Sequence, residues 1–302
     1  MNTRSSHPPD DWTILALVQW TSAYFESHQI DSPRSTAEIL LAHALKISRI
    51  ELYLRYDQPL NRAELADYKE LIRRRIRREP VAYIVGEKEF WSLSLIVNRH
   101  VLIPRPETEC LVEQALGDIP EQPIDRPFRI LELGTGSGAI VCALSSQRPG
   151  HLFIALDKSV EAITIARRNV IRHGLDPSVG FICGDLFSAL ERHRARFDVI
   201  VSNPPYIASG EIDRLQPEIV RYEPRCALDG GSNGLFLLDR IIRTAPDYLR
   251  PDGALILEIG HDQFKAVRAI AGDGNGYGNI SVKKDFGGFH RVVRMVKSTG
   301  NK

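Results

Sequence analysis

The sequence predicts an α/β fold in which a mostly parallel sheet carries helices on both faces, preceded by a small N-terminal α-helical domain. Three observations support this prediction. From Phe128 onward, short apolar runs alternate with segments of helical spacing. A glycine-rich turn, residues 134–138, follows the first of those runs, and the residues before about 85 carry helix signals. Such alternation builds a parallel sheet because each helix returns the chain to the edge where the next strand begins.

The composition is that of a globular protein. The 302 residues are 43% hydrophobic and 25% charged, which excludes a disordered or fibrous chain. Lys and Arg number 39 against 38 Asp and Glu, so the net charge of +1 creates no field that would hold nucleic acid. The four cysteines are far apart and form no Cys-x-x-Cys pair, so we expect no metal site.

The apolar runs of the chain predict its compartment. Met1–Asp11 is polar, and the apolar segment that follows is too short for a signal peptide. No run approaches the length that spans a membrane. We therefore expect an unexported, cytoplasmic protein without membrane contacts.

Helix signals organise the first part of the chain, which we expect to form a domain over residues 1–85. Apolar residues recur at helical spacing over Trp12–Phe25, and Ser35–Glu38 has the pattern of a capping box that opens a second helix at Ile39. Asn61 and Glu64 start a third helix, which Pro80 ends. The basic run Arg73–Arg78 indicates either a docking surface for an acidic partner or a solvated last helical turn, and we favour the second.

A β-hairpin is predicted next, as a linker over residues 86–104. Gly86–Ile103 alternates in polarity, with Asn98-Arg99 in the middle as its turn. The prolines of Pro104-Arg105-Pro106 then force an extended approach to a helix, and Glu107 and Glu109 either cap that helix or line a pocket. The remainder, residues 105–302, is expected to be the α/β domain.

Four strands of that domain end at polar or glycine-rich turns. The strand Arg129–Leu133 precedes the glycine turn, Leu152–Leu156 ends at Asp157, Phe181–Cys183 ends at Asp185, and Val199–Val201 ends at Asn203. The other predicted elements are helices over Ala139–Ser146, Val160–His173 and Asp239–Leu249, a strand over Ala254–Ile259, and an antiparallel pair over Ile280–Val282 and Arg291–Val296.

The glycine turn indicates a nucleotide-like ligand. Gly134, Thr135, Gly136, Ser137 and Gly138 lie where a strand turns into a helix, so a ligand can approach the backbone closely and meet free N–H groups. Asp157, at the end of the next strand, stands where a ribose-binding carboxylate belongs. This pattern alone fits either NAD or S-adenosylmethionine.

Two further strand ends favour S-adenosylmethionine. Asp185 and Leu186 are suited to hold an adenine between a carboxylate and an apolar side chain. Asn203-Pro204-Pro205-Tyr206 forms a rigid turn whose amide, free carbonyls and aromatic ring suit a planar group that bears N–H donors. Because ligands of open α/β sheets bind at the carboxyl ends of the strands, we expect all these residues to share one crevice.

The chain resembles a known family of enzymes through motifs inside and outside the sheet. Glu132-x-Gly134-x-Gly136-x-Gly138 with Asn203-Pro204-Pro205-Tyr206 resembles the S-adenosylmethionine-dependent methyltransferases of planar amino or amide nitrogens. The motifs outside the sheet, with the helical N-terminal domain, resemble the peptide chain release factor glutamine N5-methyltransferases over nearly the whole chain. Those motifs are Pro80-Val81-Ala82-Tyr83-Ile84-x-Gly86, Phe90-Trp91-Ser92-Leu93, Val101–Glu109 and Tyr222-Glu223-Pro224-x-x-Ala227-Leu228-x-Gly230-Gly231.

The resemblance implies a Rossmann-like, seven-stranded methyltransferase sheet with a terminal antiparallel strand. It also implies S-adenosylmethionine as cofactor, a monomer, and a release factor as protein substrate, methylated on the glutamine of its Gly-Gly-Gln motif. Asn203, Pro204, Pro205 and Tyr206 would be catalytic, and Asn203 would also contact the cofactor. Leu186 departs from the pattern, because relatives can carry an aromatic residue there.

Three alternatives stay open at this point. The first is the sister enzyme that methylates a glutamine of a large-subunit ribosomal protein. The second is an adenine-N6 DNA methyltransferase, for which a target-recognition domain or a basic groove is expected and neither is present in the sequence. The third is a non-catalytic module that binds S-adenosylmethionine, which gives no reason for an asparagine beside the methyl group.

Overall fold

The structure is a computed structural model that describes residues 12–192, 196–274 and 276–298. The stretch Met1–Asp11, on which the expectation of an unexported chain partly rests, lies outside the described residues. The chain forms two compact units. The first holds the described residues up to Gly86 together with Pro217–Tyr222, and the second holds Glu87–Gln216 and the chain from Glu223 onward.

Eleven α-helices and nine strands are formed by the described residues. The helices are α1 (Ile14–Ser27), α2 (Pro33–Leu45), α3 (Arg49–Leu54), α4 (Arg62–Ile76), α5 (Val81–Val85), α6 (Glu109–Asp118), α7 (Ala139–Gln147), α8 (Val160–Arg172), α9 (Pro217–Tyr222), α10 (Phe236–Thr244) and α11 (Phe264–Gly272). The strands are β1 (Glu87–Phe90), β2 (Leu93–Ile96), β3 (Arg129–Leu133), β4 (Leu152–Asp157), β5 (Val179–Cys183), β6 (Phe197–Ser202), β7 (Leu249–Glu258), β8 (Tyr277–Lys284) and β9 (His290–Lys297).

The predicted start of α2 is wrong. This helix begins at Pro33, two residues before Ser35, so the expected capping box lies inside the helix. Proline suits the first helical turn because its ring fixes φ and its missing N–H has no partner there in any helix. The hydroxyl of Thr36 donates to the carbonyl of Asp31, five residues back, instead of capping a new helix.

The capping box of α4 is confirmed. The Asn61 side chain accepts from the backbone N–H of Glu64 at 3.0 Å, and the Glu64 carboxylate accepts from the N–H of Asn61 at 2.8 Å. A second box of the same kind, Ser48 with Glu51, opens the short helix α3, which was not predicted from the sequence. Helix α4 ends at Ile76, before Pro80, because the chain turns at Arg78, whose φ is 72°.

The basic run at the end of α4 is largely paired within its own unit. Its four ion pairs are Arg73–Glu70, Arg74–Glu79, Arg75–Glu218 and Arg78–Glu218. The guanidinium of Arg75 is nearly buried and bonds the Glu218 carboxylate at 2.8 Å. These contacts join α9 to the N-terminal helices although it is far away in sequence. A run whose charges are neutralised in this way offers little to an acidic partner.

The seven-stranded sheet of the second unit has the order β5-β4-β3-β6-β7-β9-β8. Strands β3 to β7 pair in parallel, and β9 runs antiparallel to both of its neighbours, so the predicted sheet is confirmed. Side chains alternate across it. Ile130 packs with α6, α7 and α8 on one face, whereas Leu131 and Leu133 pack with α10 and α11 on the other. Both faces are covered, as continuous apolar strands require.

One helix of this unit is shorter than predicted. We expected helix over Asp239–Leu249, but α10 covers Phe236–Thr244 and Leu249 begins β7. Pro246 cannot continue an α-helix because it lacks the N–H, so the chain passes through a short 3₁₀ turn.

The predicted hairpin forms, but its turn lies at Trp91-Ser92 and not at Asn98-Arg99. Phe90 pairs with Leu93, and Trp91 and Ser92 both adopt positive φ, 51° and 58°, as the tight turns of hairpins require. The buried side chain of Asn169 on α8 holds β2 by accepting from the N–H of Ile96 at 2.7 Å and donating to its carbonyl. The hairpin is thus fastened to the sheet domain.

Among the described residues, no helix has both the length and the apolar content that crossing a bilayer demands.

Candidate active site

A cavity opens at the carboxyl ends of β3, β4, β5 and β6 in the second unit. It brings together all of the predicted site residues except Gly138 and Tyr206. Those that line it are Gly134, Thr135, Gly136, Ser137, Asp157, Asp185, Leu186, Asn203, Pro204 and Pro205. The apolar part of the lining includes Ile140, Leu156, Leu237 and Ile241. Four strand ends meet here because parallel strands present their carboxyl ends at one edge of the sheet.

The three glycines of the loop after β3 serve two purposes. Each has a positive φ, namely 71° at Gly134, 54° at Gly136 and 80° at Gly138. A Cβ on Gly134 or Gly136 would meet no atom within 4 Å, so these two positions face open space. A Cβ on Gly138 would instead press on Ala166 of α8 at 3.0 Å. The first two glycines therefore leave the backbone accessible to a ligand, and the third allows α7 and α8 to pack closely.

Asp157 links the glycine loop to β4. Its Oδ2 accepts from the N–H of Gly136 at 2.9 Å, and its Oδ1 accepts from the N–H of Ser159 at 3.0 Å. The N–H groups of Gly134 and Thr135 both donate to the carbonyl of Leu156. The carboxylate thus orders the loop and keeps lone pairs available at the rim of the cavity.

Glu132 is a buried acid at the floor of the cavity. Its Oε2 accepts from Thr135 Oγ1 at 2.8 Å and from the N–H of Val141 at 3.1 Å. Its Oε1 is buried and has no hydrogen-bond partner within the described part of the chain. Burial raises the pKa of this carboxyl to about 8, so it carries a proton at neutral pH.

Glu132 is expected to make stability depend on pH. Its native pKa of about 8 lies above the unfolded value of about 4.3, so the folded state binds the extra proton between these limits. Its contribution is fully present below about pH 4.3 and is lost as pH rises through about 8. Glu132→Gln removes this dependence. As pH rises from 5 to 8.5, we expect the unfolding free energy of the variant to increase by about 3 to 5 kcal/mol relative to that of wild type.

Urea denaturation of both ligand-free proteins at the two pH values measures this change. Glu161→Gln, on the exposed first turn of α8, is the matched control. Its own backbone N–H and the Ser159 hydroxyl hold the pKa of Glu161 below its usual range, so its pH dependence lies below about pH 5 and its stability difference should be the same at both pH values. Equal stability differences for Glu132→Gln at both pH values would contradict the assignment.

The turn after β5 differs from what the sequence predicts, because Asp185 is paired with another side chain of the protein. Asp185 lines the cavity, but its Oδ2 accepts from Arg240 Nη2 on α10 at 2.7 Å. Leu186 adopts a φ of 50°, a conformation that a branched residue rarely takes. The Gly184-Asp185-Leu186 turn is also tight, because a Cβ on Gly184 would lie 2.8 Å from the side chain of Ala189. The turn thus presents an ion pair at the rim and an apolar side chain to the cavity.

Hydrogen bonds to neighbouring elements hold the Asn-Pro-Pro-Tyr turn in place. Ser202 Oγ donates to the carbonyl of Leu133 on the neighbouring strand at 2.7 Å. Asn203 Nδ2 donates to Thr108 Oγ1 at 3.1 Å, and Thr108 itself is buried. Asn203, Pro204 and Pro205 line the cavity. The turn therefore presents acceptors to the cavity from a fixed backbone.

Tyr206 points away from the cavity. Its hydroxyl donates to Oε1 of Glu258, at the end of β7, at 3.1 Å. Burial raises the pKa of Tyr206 above its usual range, and burial likewise raises the pKa of Glu258. Gln263 Nε2 donates to the carbonyl of Tyr206 at 2.9 Å, and a Cβ on Gly234 would collide with that same carbonyl. Tyr206 thus anchors the turn.

The Pro-Arg-Pro segment forms one wall of the cavity, and Glu223 fixes it there. The buried Glu223 carboxylate accepts from the N–H of Ile103 at 3.2 Å and from Arg105 Nη2 at 2.5 Å. Glu109 begins α6, and its carboxylate accepts from the N–H of Trp91 in the hairpin turn at 3.1 Å. Neither Glu107 nor Glu109 is among the lining residues, so the pocket-lining alternative is not supported for them.

The cavity fits S-adenosylmethionine, the cofactor that the sequence implies. The open backbone at Gly134 and Gly136 admits a ligand, and Asp157 offers a carboxylate suited to ribose hydroxyls. The orphaned Oε1 of Glu132 is a polar atom at the cavity floor that a polar group of a ligand could pair with. Leu186 and Ile241 supply apolar surface for a base. Within the described ranges, no cluster of His, Cys, Asp and Glu is arranged to hold a metal ion.

Two family models match the chain. A model described as the PrmC N-terminal domain matches residues 16–86, and a methyltransferase domain model matches residues 124–283. The second match contains the glycine loop, Asp157, Asp185 and the Asn-Pro-Pro-Tyr turn.

Curated relatives match over nearly the whole chain. The release factor glutamine methyltransferase of Geobacter sulfurreducens is 41% identical over 285 residues, which cover 94% of this chain and 97% of the relative. The enzyme of the same name from Salmonella typhimurium is 42% identical over 263 residues, covering 87% and 92%.

Among solved structures, the hMettl16 catalytic domain in complex with MAT2A 3'UTR hairpin 6 has a TM-score of 0.56. It is 17% identical to this chain, and the match covers 75% of this chain and 82% of that one. At this level of identity the likeness concerns the fold alone.

Proposed function

The chain belongs to the family of release factor glutamine methyltransferases, and we propose that it methylates N5 of the glutamine in the Gly-Gly-Gln motif of class 1 release factors. As a member, it is an S-adenosylmethionine-dependent protein glutamine methyltransferase. The observation that carries the amide chemistry is the Asn-Pro-Pro-Tyr turn, whose Asn203 amide donates to Thr108 and thereby leaves Oδ1 for the cavity. The name of the relatives supports a release factor as the substrate.

The chemistry of an amide nitrogen explains what this turn must do. An amide nitrogen is a poor nucleophile because its lone pair is delocalised into the carbonyl group. S-adenosylmethionine supplies an electrophilic methyl group from its sulfonium when bound. The protein must therefore place the amide accurately and keep water away, since positioning alone lowers a barrier substantially.

Asn203 and Pro204 supply the two acceptors that we assign to the substrate amide. The Oδ1 of Asn203 and the backbone carbonyl of Pro204 accept its two hydrogens. These bonds strengthen as positive charge develops on the nitrogen, so they stabilise the transition state more than the ground state. No strong base is needed before attack, because the proton leaves the cationic nitrogen afterwards.

Pro205 and Tyr206 act by holding the turn rigid. Proline fixes φ and donates no hydrogen bond, so the carbonyls of the turn are not drawn into regular secondary structure. The resemblance implies that Tyr206 is catalytic, but we assign it an anchoring role, since its hydroxyl bonds Glu258. We assign cofactor binding to residues 134–137, Asp157, Asp185, Leu186 and Asn203, and a packing role to Gly138, which was expected to bind the cofactor as well.

The same assignment gives each part of the chain a role. We propose that residues 1–85 bind the protein substrate, that residues 86–104 link the two parts, and that residues 105–302 carry out methyl transfer. We further propose a cytoplasmic monomer with no nucleic-acid substrate. The near-neutral net charge of +1 supports the last point.

A transfer assay with labelled S-adenosylmethionine tests the assignment. We expect the protein to label a class 1 release factor and not a variant whose Gly-Gly-Gln glutamine is alanine. The large-subunit ribosomal protein and duplex DNA are the competing substrates in parallel reactions. Preferred labelling of either would overturn the assignment, and cofactor binding without any transfer would favour a non-catalytic module.

A further inference from the structure

Glu258 is a buried acid to which the mechanism above gives no role other than anchoring Tyr206. It ends β7, is only 1% exposed, and its Oε2 has no hydrogen-bond partner among the residues described. Burying a carboxyl group in this way costs free energy, so its retention needs a reason. It lies outside the cavity lining, behind the Asn-Pro-Pro-Tyr turn.

One hydroxyl group donates to Glu258 and a second lies against it. The Tyr206 hydroxyl donates to Oε1 at 3.1 Å, and Thr108 is next to the same carboxyl group. A hydroxyl has one hydrogen and two lone pairs, so a hydroxyl that donates to Glu258 can only accept from its other neighbours. Glu258 therefore fixes the direction of the Tyr206 hydroxyl and offers an acceptor beside the Thr108 hydroxyl.

The Thr108 hydroxyl also contacts Asn203. Thr108 Oγ1 accepts from Asn203 Nδ2 at 3.1 Å, which leaves the Thr108 hydrogen to point toward Glu258. With Nδ2 engaged, Oδ1 is the amide atom left to accept from a ligand. If the hydroxyl of Thr108 were free to rotate, it could donate to Oδ1 instead, and the amide could turn its NH₂ group toward the cavity.

We propose that Thr108 and Glu258 are positioning residues that fix the Asn203 amide with its oxygen toward the substrate. This inference rests on the proposed function, because it concerns the acceptor assigned to the glutamine amide. Thr108 and Glu258 come from separate parts of the chain, the Pro-Arg-Pro segment and the end of β7. Tyr206 completes the arrangement from the catalytic turn itself.

Thr108→Val is the principal test, since valine keeps the shape and removes the hydroxyl. We expect kcat for the release factor to fall about 10- to 100-fold, because a misdirected amide loses its acceptor. The Kd for S-adenosylmethionine and the KM for the release factor should stay within about two-fold of wild type. Thr108→Ser, which restores the hydroxyl, should recover most of kcat.

Thr164→Val is the matched control. The Thr164 hydroxyl on the exposed face of α8 donates only to the carbonyl of Val160 among described neighbours. This variant should keep the kcat of wild type. Glu258→Leu supplies a second test, because the double variant with Thr108→Val should be no slower than the slower single variant if both act through Asn203.

The outcomes separate the two hypotheses. Wild-type transfer that Thr108→Val leaves unchanged would overturn the positioning role alone. So would a Thr108→Ser variant as slow as Thr108→Val, since packing and not the hydroxyl would then be responsible. A wild-type protein that transfers no methyl group to the release factor contradicts the proposed function itself. If Glu258→Leu does not fold, the Thr108→Val and Thr108→Ser variants alone test the positioning role.

Discussion

Asn203→Ala is expected to lower kcat about 100- to 1,000-fold, the usual cost of removing one preorganised transition-state contact. Alanine removes the Oδ1 acceptor assigned to the substrate amide but leaves the prolines and their carbonyls in place. The backbone of the turn remains tied through Ser202 to Leu133 and through Tyr206 to Gln263. The Kd for S-adenosylmethionine should therefore change less than about three-fold.

Single-turnover transfer to the release factor and calorimetric titration with the cofactor measure the two quantities separately. Asn279→Ala, on the exposed part of β8, is the matched control and should behave as wild type. A variant of Asn203 that keeps wild-type kcat would remove this side chain from the mechanism. A large rise in the cofactor Kd with unchanged kcat would make it a binding residue only.

Asp157→Ala is expected to act on the cofactor first. Hydrogen bonds to a charged group contribute about 1.5 to 3 kcal/mol, so losing this carboxylate should raise the Kd for S-adenosylmethionine about 10- to 150-fold. Part of the loss comes from the glycine loop, because Asp157 accepts from the N–H groups of Gly136 and Ser159. At saturating cofactor, kcat should remain near the wild-type value.

Titration of the Asp157 variants with S-adenosylmethionine measures this Kd directly. Asp157→Asn keeps one side-chain acceptor and should lie between alanine and wild type. Asp176→Ala, on an exposed turn before β5, controls for the loss of one negative charge. An unchanged Kd for Asp157→Ala would show that the carboxylate orders the loop without contacting the cofactor.

Local sequence patterns were sufficient to predict the sheet. Strands β3, β4 and β6 are short apolar runs that end in Gly134, Asp157 and Asn203, and each run is buried on both faces. The sharp change from apolar to polar residues marks the carboxyl end of a buried strand. The same positions line the cavity, so most of the candidate site was predictable from the ends of strands.

The N-terminal unit was predicted less completely. The box of Ser48 and Glu51 was visible in the sequence, and counting such boxes would have revealed α3. By contrast, no local pattern assigns α9 to the N-terminal unit. That placement depends on Arg75 and Arg78 meeting Glu218, more than a hundred residues away, and only folding brings them together.

The residues that support the Asn-Pro-Pro-Tyr turn were also not predicted. Thr108, Glu258 and Gln263 reach the turn from three separate segments, so their roles depend on tertiary contacts. Glu258 did leave a signal, because it is a charged residue within the otherwise apolar run 254–259. An acid at the end of a buried strand indicates a site, since burial without partners is costly.

The most direct test of the central claim is tandem mass spectrometry of a class 1 release factor after incubation with the protein and S-adenosylmethionine. Wild type should add one methyl group to the side-chain nitrogen of the Gly-Gly-Gln glutamine, and Asn203→Ala should add almost none in the same time. A methyl group on another residue, or an unmodified glutamine with active wild-type protein, would contradict the account.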